Sequence, residues 1–452
     1  MSALIKEPAS TERLCPRDEA DVVEAVRWAV SNGRTLDVAG SRSKAGLGRH
    51  IQTDATLELA ALSGVTLYEP EELVLSARAG TPIAEITALV AASHQMMAFE
   101  PMDYGPLFGQ PAGGGTLGGL IACNLAGPRR PSAGAARDHA LGLRAVSGRA
   151  EAFKAGGRVV KNVTGYDLPR GLAGSHGTLA AFTELTIKVL PRPETVETLL
   201  ILGLDEAQAA SAMSAAMGSY YDVSGSAHLP ADIAALVPAV AGAGRAVTAL
   251  RLEGVKPSIL HRRGKLEEML RARGELSFLN EAASLTFWQA VRDVEPFAAT
   301  VTSPRGGEVG AGTAPGEGFS SATSPSPPPL TVGERENILD TAPAIWRVSV
   351  APMAGADVVA ALRPLGARAF YDWAGGLVWI ALPDGTPRSA EVRAAVAATG
   401  GGHATLVRAS LAARAEEVFQ PLDPVTKALV TRMKDGFDPA RVLSPGRMYA
   451  GV

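Results

Sequence analysis

"GGGTLGGLIACNLAGPRR", residues 113–130, is the stretch on which the fold turns. Gly113, Gly115 and Gly118 spell G-x-G-x-x-G, and Asp138 follows Gly118 by twenty residues, the written form of a Rossmann dinucleotide fingerprint. That fingerprint needs a strand running into its first glycine and a helix opening at its third. Before Gly113 stands FEPMDYGPLFGQPA, whose three prolines and two glycines exclude a central strand. After Gly118, the Gly127-Pro128 pair and Pro131 stop any helix within about two turns. A nicotinamide Rossmann site is therefore not expected. The glycines keep their physical use: an anionic diphosphate is met by backbone N–H groups, and glycine lets the chain approach closely at positive φ so that amides converge.

A second glycine run, AGSRSKAGLG (39–48), follows the strand-like TLDVAG (35–40) and adds Ser41, Arg42, Ser43 and Lys44. Either loop alone also reads as an ordinary turn. Together, at about seventy residues' separation, they suggest one long anion held from two sides.

The bulk properties narrow the class. A chain of 452 residues, 46% hydrophobic and 20% charged, implies two or three globular domains. A net charge of −3 and only 5% aromatics argue against nucleic-acid binding. The polar N-terminal stretch lacks a signal-peptide core and no run of 18 apolar residues occurs, so a cytoplasmic protein is expected, reaching a membrane only through partners. Cys15 and Cys123 are the only cysteines, too few for an iron–sulfur cluster that needs four. The seven histidines are too scattered for a local metal-binding pair, so no metal site is expected.

Residues 18–32 read as a helix with a Val22, Val23, Val26 and Val30 stripe, capped by Asp18 and ended by Gly33. ELVLSARAG (72–80) reads as a strand alternating Leu73, Leu75 and Ala77. Thr81 then caps a helix to about Ser93, with Pro82 in its first position. Strands are expected at 140–148 and 179–190, and PRPET (191–195) marks a boundary. Beyond it the chain is Ala-rich and helical, with strands at 246–254, 346–352 and 377–383: a smaller α+β domain. Residues 303–329, mostly Gly, Pro and Ser, read as a disordered surface loop. A helix ending at Gly436 precedes a compact tail.

The ordered set GSRSKAGLG, TLGGLIACNLAG, RDHALGLRAV, KNVTGYDL, GSHGTLAAFTELTIKVLP and FDPARVLSPGRM resembles the vanillyl-alcohol oxidase type of FAD-binding domain. Within that superfamily the chain is most similar to the FAD-binding subunit of bacterial glycolate oxidase, through SKAGLGR, LAGPRRPSAG, KVLPRP, GGHAT and PGRMYA. The resemblance implies an α+β protein: a two-part FAD-binding domain (1–193), a smaller α+β cap domain (194–425) and a tail (426–452) returning to the FAD domain. It places Gly40, Ser41, Arg42, Ser43 and Lys44 in a first diphosphate loop. Thr116, Leu117, Gly118 and Gly119 form the second, with Ala122, Asn124 and Gly127 beside it. Gly134 and Asp138 belong to the next motif. Gly174, Ser175, Gly177 and Thr178 precede a strand meeting the cofactor near Phe182, and Arg447 reaches the cleft from the tail.

The first loop carries no histidine for a covalent flavin link, so non-covalent FAD is expected, with His50 on the surface. Ser444 stands where the family commonly has Asn. The His-x-His metal site of the sister subunit is missing, which puts this chain's own turnover of glycolate in doubt. What the resemblance implies is a subunit of a 2-hydroxy-acid oxidase, partnered by a catalytic flavin subunit and an iron–sulfur subunit. Its alternative is a flavin-bearing assembly or electron-relay subunit without turnover.

Two residues are candidates for chemistry on a small hydroxy acid. His403, after three glycines, is either the base or a structural histidine. Arg347 either binds the carboxylate or makes a structural ion pair. Lys161 and Tyr166 orient the flavin or fix their loop, Asp167 reads as a turn or cap residue rather than an acid–base group, and the basic PRRP (128–131) meets phosphate, partner or solvent.

Overall fold

The computed structural model describes residues 12–158, 165–299 and 342–452. The expected loop at 303–329 and Lys161 lie outside the described residues.

The first sheet is small and parallel: β1 (Glu12–Leu14) and β2 (Leu36–Ala39) flank β3 (Ala55–Glu58). Helix Glu19–Asn32 links β1 to β2. Asp18 caps it by accepting from Asp21 N at 2.8 Å, and Gly33, at φ 60°, closes it in the left-handed conformation that glycine adopts without strain. Its buried stripe is Val22, Val26 and Ala29, narrower than expected, since Val30 is exposed. Adjacent parallel strands need a crossover of a dozen or more residues, usually helical. Between β2 and β3 that crossover is residues 40–54, which contain no helix. The connection is thus free to become a binding loop.

Residues 65–191 supply β4 (Val65–Glu69), β5 (Val74–Arg78), β6 (Gln95–Met96), β7 (Ala140–Ser147), β8 (Ala152–Gly156), β9 (Ala180–Lys188) and β10 (Leu190–Pro191). Five of them form an antiparallel sheet in the order β4-β5-β9-β7-β8, while β6 pairs with β10. The alternation expected along β5 does not hold: Val74 through Ala77 are all buried. The sheet is covered on both faces. Val146 and Ala181 pack with Val22 and Val26, whereas Leu75, Leu143 and Leu185 pack with helices Ile83–Ala92 and Leu117–Cys123. Ser76 is tolerated between them because its hydroxyl lies 2.8 Å from that of Thr186. Thr81 does not cap helix Ile83–Ala92. Its hydroxyl is fully buried and donates to Arg78 O at 2.7 Å, leaving Pro82 in the cap position.

The third sheet is larger than the sequence suggests. Its strands are β11 (Thr195–Leu202), β12 (Gly225–Leu229), β13 (Val247–Gly254), β14 (Glu275–Leu279), β15 (Ala344–Ser349), β16 (Arg368–Asp372), β17 (Leu377–Leu382) and β18 (His403–Arg408). They run antiparallel in the order β14-β11-β13-β12-β16-β17-β15-β18. Each half is a βαββαβ unit. Helices Glu206–Met217 and Lys256–Leu270 serve the first half, and helices Gly355–Leu362 and Ser389–Ala398 serve the second. The halves join where β12 meets β16, at His228 opposite Tyr371. One face packs on these helices through Trp346, Val378 and Ile380. The opposite face joins the core of the five-stranded sheet through Ile345, Phe370 and Trp379.

Helix Pro424–Phe437 runs one residue past Gly436, and the tail then docks beside β2. Leu443 bridges Leu36 in parallel, and Ser444 Oγ accepts from Val38 N at 3.0 Å. Lys434 and Asp438, both fully buried, anchor this return. The ammonium donates to Asp438 Oδ2 at 2.7 Å and to the carbonyls of Thr178 and Leu443 at 2.7 and 2.9 Å. The donors and acceptors of this buried pair are satisfied, which makes its burial tolerable.

Candidate functional site

The two glycine loops touch. Ser41 Oγ donates to the Gly114 carbonyl, and a Cβ on Gly40 would lie 2.6 Å from Thr116 Oγ1. Thr116 in turn caps helix Leu117–Cys123, accepting from Gly119 N at 3.3 Å. Gly118 is pressed against β5's end: its N–H donates to Ala79 O at 2.7 Å, and a Cβ there would lie 2.8 Å from the Ala79 methyl. No side chain fits at either glycine without movement of its neighbours.

Together the loops wall a cavity that opens to solvent. Gly40, Ser41, Arg42, Ser43, Lys44, Thr116, Gly118, Gly119, Ala122, Gly177, Phe182 and Arg447 line it. Lys44 Nζ has Ser43 Oγ at 3.3 Å and, among the described residues, no carboxylate ion-pair partner. Burial pushes its ammonium below the ordinary lysine range, while Cys123 and Asp103 act weakly the other way. A half-buried cation beside converging loop backbone and a helix N-terminus suits an anion. Arg447 adds a second cation, paired with Asp37. This chemistry fits the diphosphate of FAD.

The remaining positions expected at the cofactor stay behind the wall. Leu117 is fully buried in the core beneath it. Asn124 closes the helix at φ 49° and accepts from Arg137 N. Gly127 packs between Glu100 and Arg292. Gly134 turns at φ 84° against Asp138, whose carboxylate accepts from Ala135 N at 2.9 Å. Gly174 turns at φ 86°, and Thr178 donates to Ser175 O. Ser175 is buried with its hydroxyl unpartnered. These residues shape turns that carry the lining rather than being part of it.

Some lining residues escaped sequence reading: Asp37, Val38 and Ala39 on β2, Leu59, Ala79, Cys123, His176 and Ala180. The β2 trio was foreseeable, since a strand feeding a binding loop presents its C-terminal end to the ligand. His176, inside GSHGT, gave no separate signal. Its Nδ1 lies 3.7 Å from Cys123 Sγ, and its ring meets Phe419 at 5.0 Å. Burial, then the Arg447 charge, pushes it down to about 4, so it is neutral at pH 7.

A second cleft opens on the other side of Lys44, between helices Ile83–Ala92 and Glu281–Arg292. Its polar wall is a four-residue ion network joining the flavin side to β13. Arg251 Nη1 donates to Glu100 Oε1 at 2.7 Å and Arg129 Nε to Glu253 Oε2 at 2.9 Å. Burial acts to raise the Glu253 carboxyl. The Arg129 hydrogen bond and the Arg251 and Arg129 charges overcome it, taking the group down to about 2.

Arg347, on β15, lies on the sheet face of Trp379 and stacks on Trp373, 5.0 Å from the ring centroid. His403 opens β18 at the sheet edge opposite Ser349. It is exposed, and neither it nor Arg347 is among the residues lining these two cavities. Tyr166 is exposed, Asp167 accepts from Arg170 N as a helix cap, and His50 is on the surface. Among the described residues no three His, Cys, Asp or Glu side chains converge as a metal site, and no helix is long and apolar enough to cross a membrane.

Comparison with known proteins agrees with this geometry. Residues 13–156 match the FAD binding domain family. The chain is 32% identical to the glycolate oxidase subunit GlcE of Escherichia coli K12, over 97% of this chain and 99% of that one. It is 30% identical to the D-lactate dehydrogenase of Anaerostipes hadrus over 43% of this chain and 37% of that one. Among solved structures, p-cresol methylhydroxylase superposes with a TM-score of 0.67 over 96% of this chain and 88% of its own, at 12% identity, a likeness of fold.

Proposed function

Since the chain belongs to the family of the glycolate oxidase subunit GlcE and is an FAD-dependent oxidoreductase, we propose that it serves as the FAD-binding subunit of a multi-subunit 2-hydroxy-acid oxidase. The observation that carries this reading is the Lys44 ammonium, without an ion-pair partner among the described residues, set between two touching glycine loops.

Lys44, Ser43 and the Thr116–Gly119 turn would hold the diphosphate, and Arg447 would approach from the tail. When bound, FAD supplies the acceptor for the electron pair of an oxidised carbon–hydrogen bond. Attachment is non-covalent in this reading, because the loop at 40–48 offers no histidine. Arg347 would orient a substrate carboxylate against the sheet face turned to the flavin side. Two cysteines, one exposed and one in the cavity wall, cannot hold an iron–sulfur cluster of four thiolates. Electron exit therefore calls for an iron–sulfur partner beside a catalytic flavin subunit. We place the chain in the cytoplasm, at the inner membrane only through such partners.

One observation favours a second reading, a flavin-bearing relay or assembly subunit. His403, the candidate base, is exposed on an edge strand, and neither it nor Arg347 lines the two cavities. The test is a spectrum of the purified chain followed by anaerobic glycolate, alone and with its partners. A yellow protein that releases its flavin on acid precipitation is expected, and a folded colourless chain overturns the proposal. Bleaching of the isolated chain assigns it turnover, whereas bleaching only in the complex assigns it relay.

A further inference from the structure

Two arginines meet on one indole where the second glycine loop abuts the eight-stranded sheet. The Arg130 guanidinium carbon lies 4.3 Å from the Trp373 ring centroid and that of Arg347 lies 5.0 Å away. Arg130 opens the short helix Arg130–Ala133. Arg347 comes from β15, opposite Trp379 on the sheet face turned to the flavin side. Trp373 is itself held in place, buried and donating Nε1–H to Gly127 O at 3.0 Å.

This arrangement is electrostatically incomplete. Neither guanidinium has a carboxylate at ion-pair distance among the described residues, and Arg347 Nε is buried without a hydrogen-bond partner. Burial, then the Arg347 charge, pushes Arg130 below the ordinary arginine range. Nearby acids are committed elsewhere. Asp138 accepts from Ala135 N, and Glu100 pairs with Arg251. Asp372 accepts from Trp373 N, and burial raises its carboxyl to about 8, so at neutral pH it leaves the pair uncompensated. A third donor waits beside them. The Tyr104 hydroxyl is buried without a partner, its ring edge-on to Trp379 at 6.1 Å, and Arg347 is the leading charge acting on it. Native folds rarely leave such donors unsatisfied.

We propose that Arg130 and Arg347 form a carboxylate clamp over Trp373, taking the anionic end of a small monocarboxylate and tying the glycine-loop side to the eight-stranded sheet. The assignment rests on the 2-hydroxy-acid reading and deepens it by naming the subsite and its second arginine. Planar guanidinium forks match a carboxylate's two oxygens, and the indole face holds both forks in place. Because Arg130 lies on the glycine-loop side and Arg347 on the eight-stranded sheet, the bound anion also stiffens their junction.

The test is anaerobic calorimetric titration of the full-length, flavin-loaded chain with glyoxylate, the two-electron-oxidised counterpart of glycolate, with flavin absorbance followed to exclude turnover. Glyoxylamide is the uncharged isostere, and chloride and inorganic phosphate are the competing anions. Saturable glyoxylate binding is expected, at least tenfold weaker in Arg130→Gln and in Arg347→Gln and partly recovered in Arg130→Lys. A tryptophan fluorescence change should accompany binding and be lost in Trp373→Phe. Flavin absorbance and melting temperature, read for each variant, separate loss of the clamp from loss of the fold. The proposal is overturned if both Gln variants bind glyoxylate like the parent chain, if glyoxylamide binds equally, or if chloride or phosphate binds equally. A flavin-loaded parent chain that ignores glyoxylate overturns the clamp alone. A parent chain that never holds flavin overturns the clamp together with the reading beneath it.

Discussion

Gly40 and Thr116 are packed so closely that a methyl group on Gly40 would sit 2.6 Å from the Thr116 hydroxyl. That hydroxyl is already engaged with Gly119 N. The two glycine loops are therefore one structure, assembled from strand β2 on one side and a helix cap on the other.

Gly40→Ala should force Thr116 to swing away and give up its cap, a loss of about 1 kcal/mol. The loop geometry suffers more than the fold. The flavin-to-protein absorbance ratio of the purified variant is expected to fall, with melting of the apoprotein lowered only slightly. An unchanged ratio would show that the contact does not shape the cofactor site.

Lys44→Met removes the unpaired cation. Flavin affinity should drop by roughly ten- to a hundredfold, the worth of a charge-assisted hydrogen bond, while the apoprotein melts no lower than the parent. The pH dependence has a definite sign. Burial depresses the Lys44 pKa in the free protein, and a bound diphosphate raises it again. Affinity is then full below the depressed value and declines as pH rises through it. Equilibrium dialysis of FAD across the neutral-to-alkaline range checks both points.

Glu253 titrates at about 2 in the fold against 4.5 for the unperturbed group. A lowered carboxyl pKa contributes stability that is complete above the unfolded value and lost as pH falls from there toward 2. The loss is on the order of 3 kcal/mol. Glu253→Gln should abolish this segment of the acid profile and destabilise the chain by about 3–5 kcal/mol at pH 7, since Arg129 and Arg251 lose a buried partner. Thermal melts of both proteins between pH 6 and pH 3 provide the comparison.

Asp438→Asn leaves the buried Lys434 ammonium without its counter-charge. A loss of about 3–5 kcal/mol is expected, with the tail released from β2 and opened to protease. The double change Lys434→Met with Asp438→Asn should recover part of that stability. Limited proteolysis and melting, run side by side, decide whether this pair holds the tail.

Much of the flavin side was legible in the sequence. Asp18 and Gly33 mark the ends of helix Glu19–Asn32, and proline and glycine around residues 113–131 rule out a Rossmann turn. These are local effects of caps, φ preference and missing N–H groups, written within a few residues. The double βαββαβ sheet was not legible, because only three of its strands stand out from an Ala-rich background. Its strand order is set by pairings between distant segments, such as His228 with Tyr371.

The sequence by itself determined that two glycine runs, one bearing Lys44, would seek an anion: residue type alone fixes backbone freedom and charge. Only the tertiary structure decided that Leu117, Asn124 and Thr178 support the cavity instead of lining it, that His403 faces solvent, and that Arg130 and Arg347 share one indole. Burial and partnership arise between residues far apart in the chain, where packing assigns each side chain its neighbours.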